Sequence, residues 1–368
     1  MSEEQSLDED TISPNLEYEE DIIDEAECTF ALIDSFDAYI SVKDQKPYLV
    51  YQNKNNFKLE VLKILKKKYK LVKTIDGHNS KITCLKYYYN KNNGTEYLIS
   101  TNYDGHILIT NITKDYETES LKKTGYDNGQ ITCCIMIFNL YEENQEDIQN
   151  GLILISNKTN YNARDDSPPR LGYIFEKNGN LKVHKEFFSL NKNLISYMIH
   201  WINKKSKKDY IIEIGNKKID IIRYSHSQNE LYASFNTFLD TWYHCGFVYN
   251  DEVKKTDLLF ITSIKSYVFV FDLYTRQNIK AIKTSGKIER LYNIMQWNKN
   301  YLLVSNATAP DLKVIDIKSL KCVGNILVGH EDDFRCIRKI RHPNYGYCLM
   351  TGGDDDRIKL YKPKCIYI

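Results

Sequence analysis

Two stretches of this chain repeat one pattern, and no other feature limits its fold as much. "EYLISTNYDGHILITNI" (96–112) and "YCLMTGGDDDRIKLYK" (347–362) share a register: an apolar pair, Ser or Thr, an Asp-bearing turn, then alternating apolar residues. The likeness extends upstream, where "GHNSKITCLKYY" (77–88) precedes the first as "GHEDDFRCIRKI" (329–340) precedes the second, with Cys84 and Cys336 at the same offset. Looser copies of strand, turn, strand read at 47–64, 151–175, 210–224, 258–273 and 301–317. The alternating stretches open at about 57, 107, 172, 219, 268, 312 and 358, a spacing of mostly 44 to 50. A period of that length is one supersecondary unit that buries its faces against its neighbours. Alternation with period two, and nothing helical in pattern beyond residue 30, makes the chain all-β.

At 368 residues the chain exceeds a single compact core, which a closed repetitive architecture resolves. The fold expected is a seven-bladed β-propeller of four-stranded blades, near 38–75, 76–128, 129–188, 189–236, 237–285, 286–328 and 329–368. After "RIKLYK" only "PKCIYI" remains for an outer strand, so "CTFALIDS" (28–35) is expected to wrap onto the last blade and close the ring. Residues 1–42 hold fourteen acids and no Lys or Arg, which leaves the rest of the chain at +15. Residues 1–27 are read as an acidic disordered tail, with docking on the basic body or a short partner-binding helix after Ser13-Pro14 as the other readings.

The paired Gly-His and the Asp-bearing turn resemble the WD-repeat β-propellers, over roughly residues 30 to 366 and strongly only in the second and seventh units. The resemblance implies a hydrogen-bonded set within a blade: His330, Thr351, Asp355 and Tyr361 in the last, and His78, Ser100 and Asp104 in the second. This sequence departs from the family where the signature Trp becomes Tyr361, Phe271, Ile315 or Thr110, and the other five units lack the Gly-His pair. The resemblance also implies a non-enzymatic scaffold within a multiprotein assembly. Family members that bind phosphoinositides carry a Phe/Leu-Arg-Arg-Gly motif, absent from this sequence.

Motif chemistry points away from catalysis. The chain holds no G-x-x-x-x-G-K-[ST], H-E-x-x-H or G-x-S-x-G, and Asp354, Asp355 and Asp356 read as a tight turn better than as a metal site. No cofactor is expected. No apolar run reaches membrane-span length and no secretory signal opens the chain, so a cytoplasmic protein is expected. The nine cysteines form no Cys-x-x-Cys pair.

Two candidate surfaces remain. Lys66, Lys67 and Lys68 fall between third and fourth strands, and Lys204, Lys205, Lys207, Lys208, Lys254 and Lys255 between first and second strands. Those turns share one face of a propeller, where an acidic protein segment, a phosphoinositide headgroup or nucleic acid would bind. The insertion "KTNYNARDDSPPRLG" (158–172), with Arg164, Asp165, Asp166 and Arg170, lies between second and third strands, on the opposite face near the channel mouth. Protein partners are the expectation, with the lysine face as the alternative.

Overall fold

Among the described residues, apolar alternation resolves into 28 strands, arranged as four-stranded antiparallel sheets. The structure is a computed structural model that describes residues 16–23, 36–66, 68–90, 94–102, 106–121, 130–137, 152–158, 170–177, 180–188, 195–215, 218–223, 230–236 and 242–363. The first strands of successive sheets are Phe36–Ile40, Ile82–Asn90, Gln130–Ile137, Ile195–Asn203, Tyr243–Asp251, Leu291–Gln296 and Phe334–His342. Each touches the next, and the last returns to the first, so they form the inner wall of a closed ring.

The core lies between adjacent sheets, because each sheet has two apolar faces and neither can face water. Between the fourth and fifth sheets, Ile212, Ile214, Ile221, Tyr243, Leu259, Phe269 and Phe271 form one cluster. Phe36, Leu49, Ile64, Cys336, Ile340 and Met350 join the first sheet to the last. These interfaces explain why the second strands Pro47–Gln52 and Thr256–Ser263 are buried on both faces, whereas the outer strand Gln277–Lys283 is largely exposed.

The expected ring of seven blades behind a disordered acidic tail needs correction. Six blades, not seven, are runs of four consecutive strands: blade 1 (Phe36–Ile75), blade 2 (Ile82–Leu121), blade 3 (Gln130–Phe188), blade 4 (Ile195–Asn236), blade 5 (Tyr243–Lys283) and blade 6 (Leu291–Leu327). A composite sheet completes the circle, with three strands from Phe334 to Pro363 and, as its outer strand, Leu16–Ile23. The acidic segment is therefore partly a strand. Its register sets Glu17 opposite Lys362 and Asp21 opposite Lys359, so the segment expected to be disordered pairs as an edge strand. Residues 24–35, including the segment expected to close the ring, lie outside the described residues.

Antiparallel order puts first-to-second and third-to-fourth turns on one face, the lower face here, and the remaining connections on the upper face. Five first-to-second turns share one geometry, with a left-handed residue at their fifth position: Gln45 (φ 54°), Gly94 (73°), Lys207 (55°), Lys255 (51°) and Gly346 (72°).

Deleting residues 1–23 is expected to lower Tm by several degrees in thermal unfolding, since the edge at Ile358–Pro363 loses the outer strand paired with it. An unchanged Tm would show that the acidic strand does not stabilise the ring.

Candidate interaction surfaces

One cross-strand position recurs in every blade, between the second and third strands, and its occupants change from blade to blade. In the closing sheet it is Thr351 opposite Lys359. His330 Nε2 lies 2.6 Å from Thr351 Oγ1, and its Nδ1 lies 2.8 Å from Asp355 Oδ1. Tyr361 Oη accepts the Gly329 N–H at 2.9 Å, and Lys359 Nζ donates to the Gly329 carbonyl at 2.6 Å. The four residues of the expected set thus surround the Gly-His turn, although Tyr361 grips the glycine. Burial opposes ionisation of Asp355, but its hydrogen bond to His330 holds its pKa below the usual carboxylate range. A Cβ at Gly353 would stand 2.4 Å from His330 Nδ1 and 2.7 Å from Asp355 Oδ1, which explains the glycine there.

In blade 2 the position is Ser100 opposite Leu108, and His78 Nε2 lies 2.7 Å from Ser100 Oγ. Asp104 lies outside the described residues. Blade 1 places Tyr51 opposite Glu60, whose carboxylate accepts from the Tyr51 hydroxyl and, at 3.1 Å, from Asn53 Nδ2. Blade 4 pairs Glu213 with Asp220, both buried, and Lys218 Nζ stands 3.0 Å from Asp220. Blade 5 is apolar there, with Ile261 opposite Phe269. Blade 6 sets Val304 opposite Lys313, whose Nζ lies 2.8 Å from both Asp311 and Glu289. Burial works against the Lys313 charge, yet its two carboxylate partners keep its pKa raised. Reading Lys313 against Lys359 in the repeat register would have exposed this triad in the sequence.

The lower face carries the lysines. Lys66, Lys68, Lys204, Lys205, Lys207, Lys208, Lys254 and Lys255 are all exposed there, and Lys67 lies outside the described residues. The structure extends this set to turns whose cations are not clustered in sequence: Lys43 in blade 1, Lys114 in blade 2, Arg276 in blade 5, and Lys299, Lys318 and Lys321 in blade 6, all exposed. Beneath them, Asp257 accepts from Trp201 Nε1 at 2.8 Å and Tyr274 Oη at 2.9 Å, clamping blade 4 to blade 5. Lys205 Nζ sits 4.0 Å from the centre of the Tyr274 ring and Arg276 4.1 Å from that of Tyr232.

The upper face differs in charge and polarity. Glu331, Asp332, Asp333, Asp354 and Asp356 gather on the closing sheet, where Arg335 Nη2 contacts Asp354 at 2.8 Å. Arg335 also lies 5.0 Å from the Tyr292 ring, on which His244 stacks at 4.3 Å. Arg164, Asp165 and Asp166 lie outside the described residues, and Arg170 opens the third strand of blade 3, facing Asn157 and Phe188 in register. Sequence reading missed Trp242, Ile288 and Leu327, exposed on upper turns and strand ends of blades 5 and 6. Single apolar residues in polar turns leave no periodic signal. Among the described residues, no group of three or more His, Cys, Asp or Glu could hold a metal, and no helix is long and apolar enough to cross a membrane.

A closed ring of four-stranded sheets with Gly-His-anchored turns defines a β-propeller. The family model described as WD domain, G-beta repeat matches residues 69–111 and 320–362, and with this architecture it makes the chain a divergent WD-repeat propeller. No curated protein matches it. Among solved structures, a chain from the crystal structure of BBS1N in complex with ARL6DN, soaked with mercury, is similar at TM-score 0.65 and 11% identity, over 95% of this chain and 98% of that one. The lead-soaked form gives TM-score 0.63 and 11% identity, over 92% and 94%. As many as 1171 solved chains match, so likeness at such low identity speaks for the fold alone.

Two stability tests follow. Thr351→Val leaves His330 Nε2 buried without its hydroxyl partner and is expected to cost about 1–3 kcal/mol in urea unfolding. An undiminished stability would show the His330 set to be idle. Burial holds His78 and His244 down to about 4, with repulsion from His106 and from Arg335 and Arg290 respectively. Unfolded His titrates near ~6.5, so both bind fewer protons folded than unfolded between the two values. Their contribution to stability is complete above the unfolded pKa and is lost as pH falls toward the folded one. Asp354 runs oppositely: burial, only partly offset by Arg335, pushes it up to about 6, so its folded form holds a proton that the unfolded form releases and its share of stability falls as pH rises through that value. Two histidines against one carboxyl predict a net loss on acidification, which His244→Gln should flatten. An unaltered pH profile in that variant would show that His244 burial is not the cause.

Proposed function

We propose that this protein is a non-enzymatic scaffold of the cytoplasm, a rigid disc that docks other proteins on its upper face. The observation that carries this reading is the exposure of three large apolar side chains on the upper face of neighbouring blades 5 and 6, where Ile288 is 78% exposed, Leu327 82% and Trp242 41%. Large apolar side chains exposed in proximity on a rigid scaffold are where partner docking is sought. The blade 3 insertion belongs to the same face by its connection between Leu152–Lys158 and Arg170–Lys177. The hydrogen bonds of His78 to Ser100 and of His330 to Thr351 support a structural use for these two histidines. The similar solved chains come from a complex of two proteins, BBS1N with ARL6DN, which agrees with this use of the fold.

The test is affinity capture from native lysate at high salt, with the intact chain, an Ile288→Asp/Leu327→Asp variant, and a variant whose residues 160–170 are replaced by a short Gly-Ser linker. Partners retained by the intact chain and lost by either variant are the expected result. Recovery indifferent to both variants and abolished by salt would overturn the upper face as the docking site.

A further inference from the structure

We infer that the lower face is built to lie on an anionic lipid surface. The first ground is how far the charge spreads. Exposed Lys or Arg stand on lower turns of blades 1, 2, 4, 5 and 6, on both sides of the ring. A headgroup pocket or a peptide groove draws on one or two neighbouring turns. Only an extended, flat anionic surface meets turns from opposite sides of a disc together, and each juxtamembrane lysine adds to such attraction.

The second ground is backbone geometry. In the shared first-to-second turn, the left-handed fifth position is Gly94 in blade 2, Gly346 in the closing sheet and Gln45 in blade 1, but Lys207 in blade 4 and Lys255 in blade 5. Glycine takes that conformation freely, whereas a side chain makes it costly. Lysine there trades backbone comfort for a charge at the outermost point of the disc.

Thirdly, among the described residues the acids of the lower turns are largely committed to the turns themselves, while Glu142, Glu143, Glu146 and Asp147 of the blade 3 connection lie outside them. Asp44, Asp251, Asp272 and Asp316 accept the backbone N–H groups of Lys46, Lys254, Tyr274 and Ser319. Glu252 and Asp115 remain exposed, outnumbered by the lysines beside them.

Finally, aliphatic side chains project among these cations. Val253, beside Lys254 and Lys255, is 93% exposed, and Ile202, beside the blade 4 lysines, is 52% exposed. Aliphatic tips flanked by lysine suit the boundary between headgroups and acyl chains. A soluble acidic protein would match the charge but leave these tips in water. The inference is independent of the upper-face reading, because the two use opposite faces.

The test is flotation of the purified full chain with vesicles of phosphatidylcholine alone and of phosphatidylcholine with phosphatidylserine. Binding is expected only to the anionic vesicles and weakens as salt rises. Reversing Lys207, Lys208, Lys254 and Lys255 to Glu should weaken it by roughly fivefold or more per lysine. Reversing the upper-face Lys265 and Lys287 serves as the control and should leave binding unchanged. With Val253→Trp, indole emission should shift to shorter wavelength on anionic vesicles. Failure to bind anionic vesicles, equal loss in the upper-face control, an unshifted Trp, or binding of an RNA homopolymer in preference to the vesicles would each overturn the inference.

Discussion

Asp37 sits where three sheets meet. One oxygen accepts from Arg338 Nε of the closing sheet at 2.9 Å and the other from the Tyr87 N–H of blade 2 at 2.7 Å, while Asp37 belongs to blade 1. A carboxylate this enclosed is costly unless every lone pair facing the interior is used, and here the two neighbours use them. Similar stitches recur around the ring. Gln52 donates to the Ser80 carbonyl and accepts from Ile82 N–H, Thr262 reaches the Tyr292 carbonyl, and Ser305 reaches that of Arg335. Each ties a second strand to the inner strand of the following sheet. Apolar packing between sheets is non-directional, so these bonds fix how one sheet is set against the next.

Seen this way, the varied occupants of the recurring position obey a single requirement. The space between second and third strands must be filled, and polar groups placed there are paired in the closing sheet, blade 1 and blade 6. His-Thr-Asp fills it in the closing sheet, Lys313 with two carboxylates in blade 6, and Ile261 with Phe269 in blade 5. Chemistry drifts there while the volume stays filled, and in blade 4 the buried Asp220 carboxylate is met by the Lys218 ammonium at 3.0 Å and by no other hydrogen-bond donor among the described residues. The Gly-His signature is thus only one of several solutions, and a chain can lose it in most blades and keep the ring.

That freedom explains what could be read beforehand. Alternation in "LLFITSIKSYVFVFDL" is written by burial on both faces and survives any choice of polar filler, so blade 5 was legible without its signature. The Leu16–Ile23 strand was not, because an outer strand needs few apolar residues and its acids mimic a solvated tail. Its meaning lies in the facing Lys359 and Lys362, far away in sequence. The lysine runs at 64–70 and 204–208 were visible as runs, whereas Lys43, Lys114 and Lys299 join them only once the turns are assigned a common face. Trp242, Ile288 and Leu327 needed exposure itself to be seen.

The composite closing sheet also sets an order of events. Leu16–Ile23 leaves the ribosome long before Ile358–Pro363, yet the two pair directly. Through most of synthesis, the emerging array of blades has an open seam, with Phe36–Ile40 at one end lacking the Phe334–His342 strand it finally touches. A contact so distant in sequence is slow to form and is reached late in the search. Each nascent chain therefore passes through a stage with two exposed, mutually complementary ends, during which a neighbouring chain offers the same ends at higher local concentration on a polysome. An acidic first strand opposes pairing between two unclosed N-terminal strands, since like charges on them repel, so what such a strand can join is an edge like Ile358–Pro363.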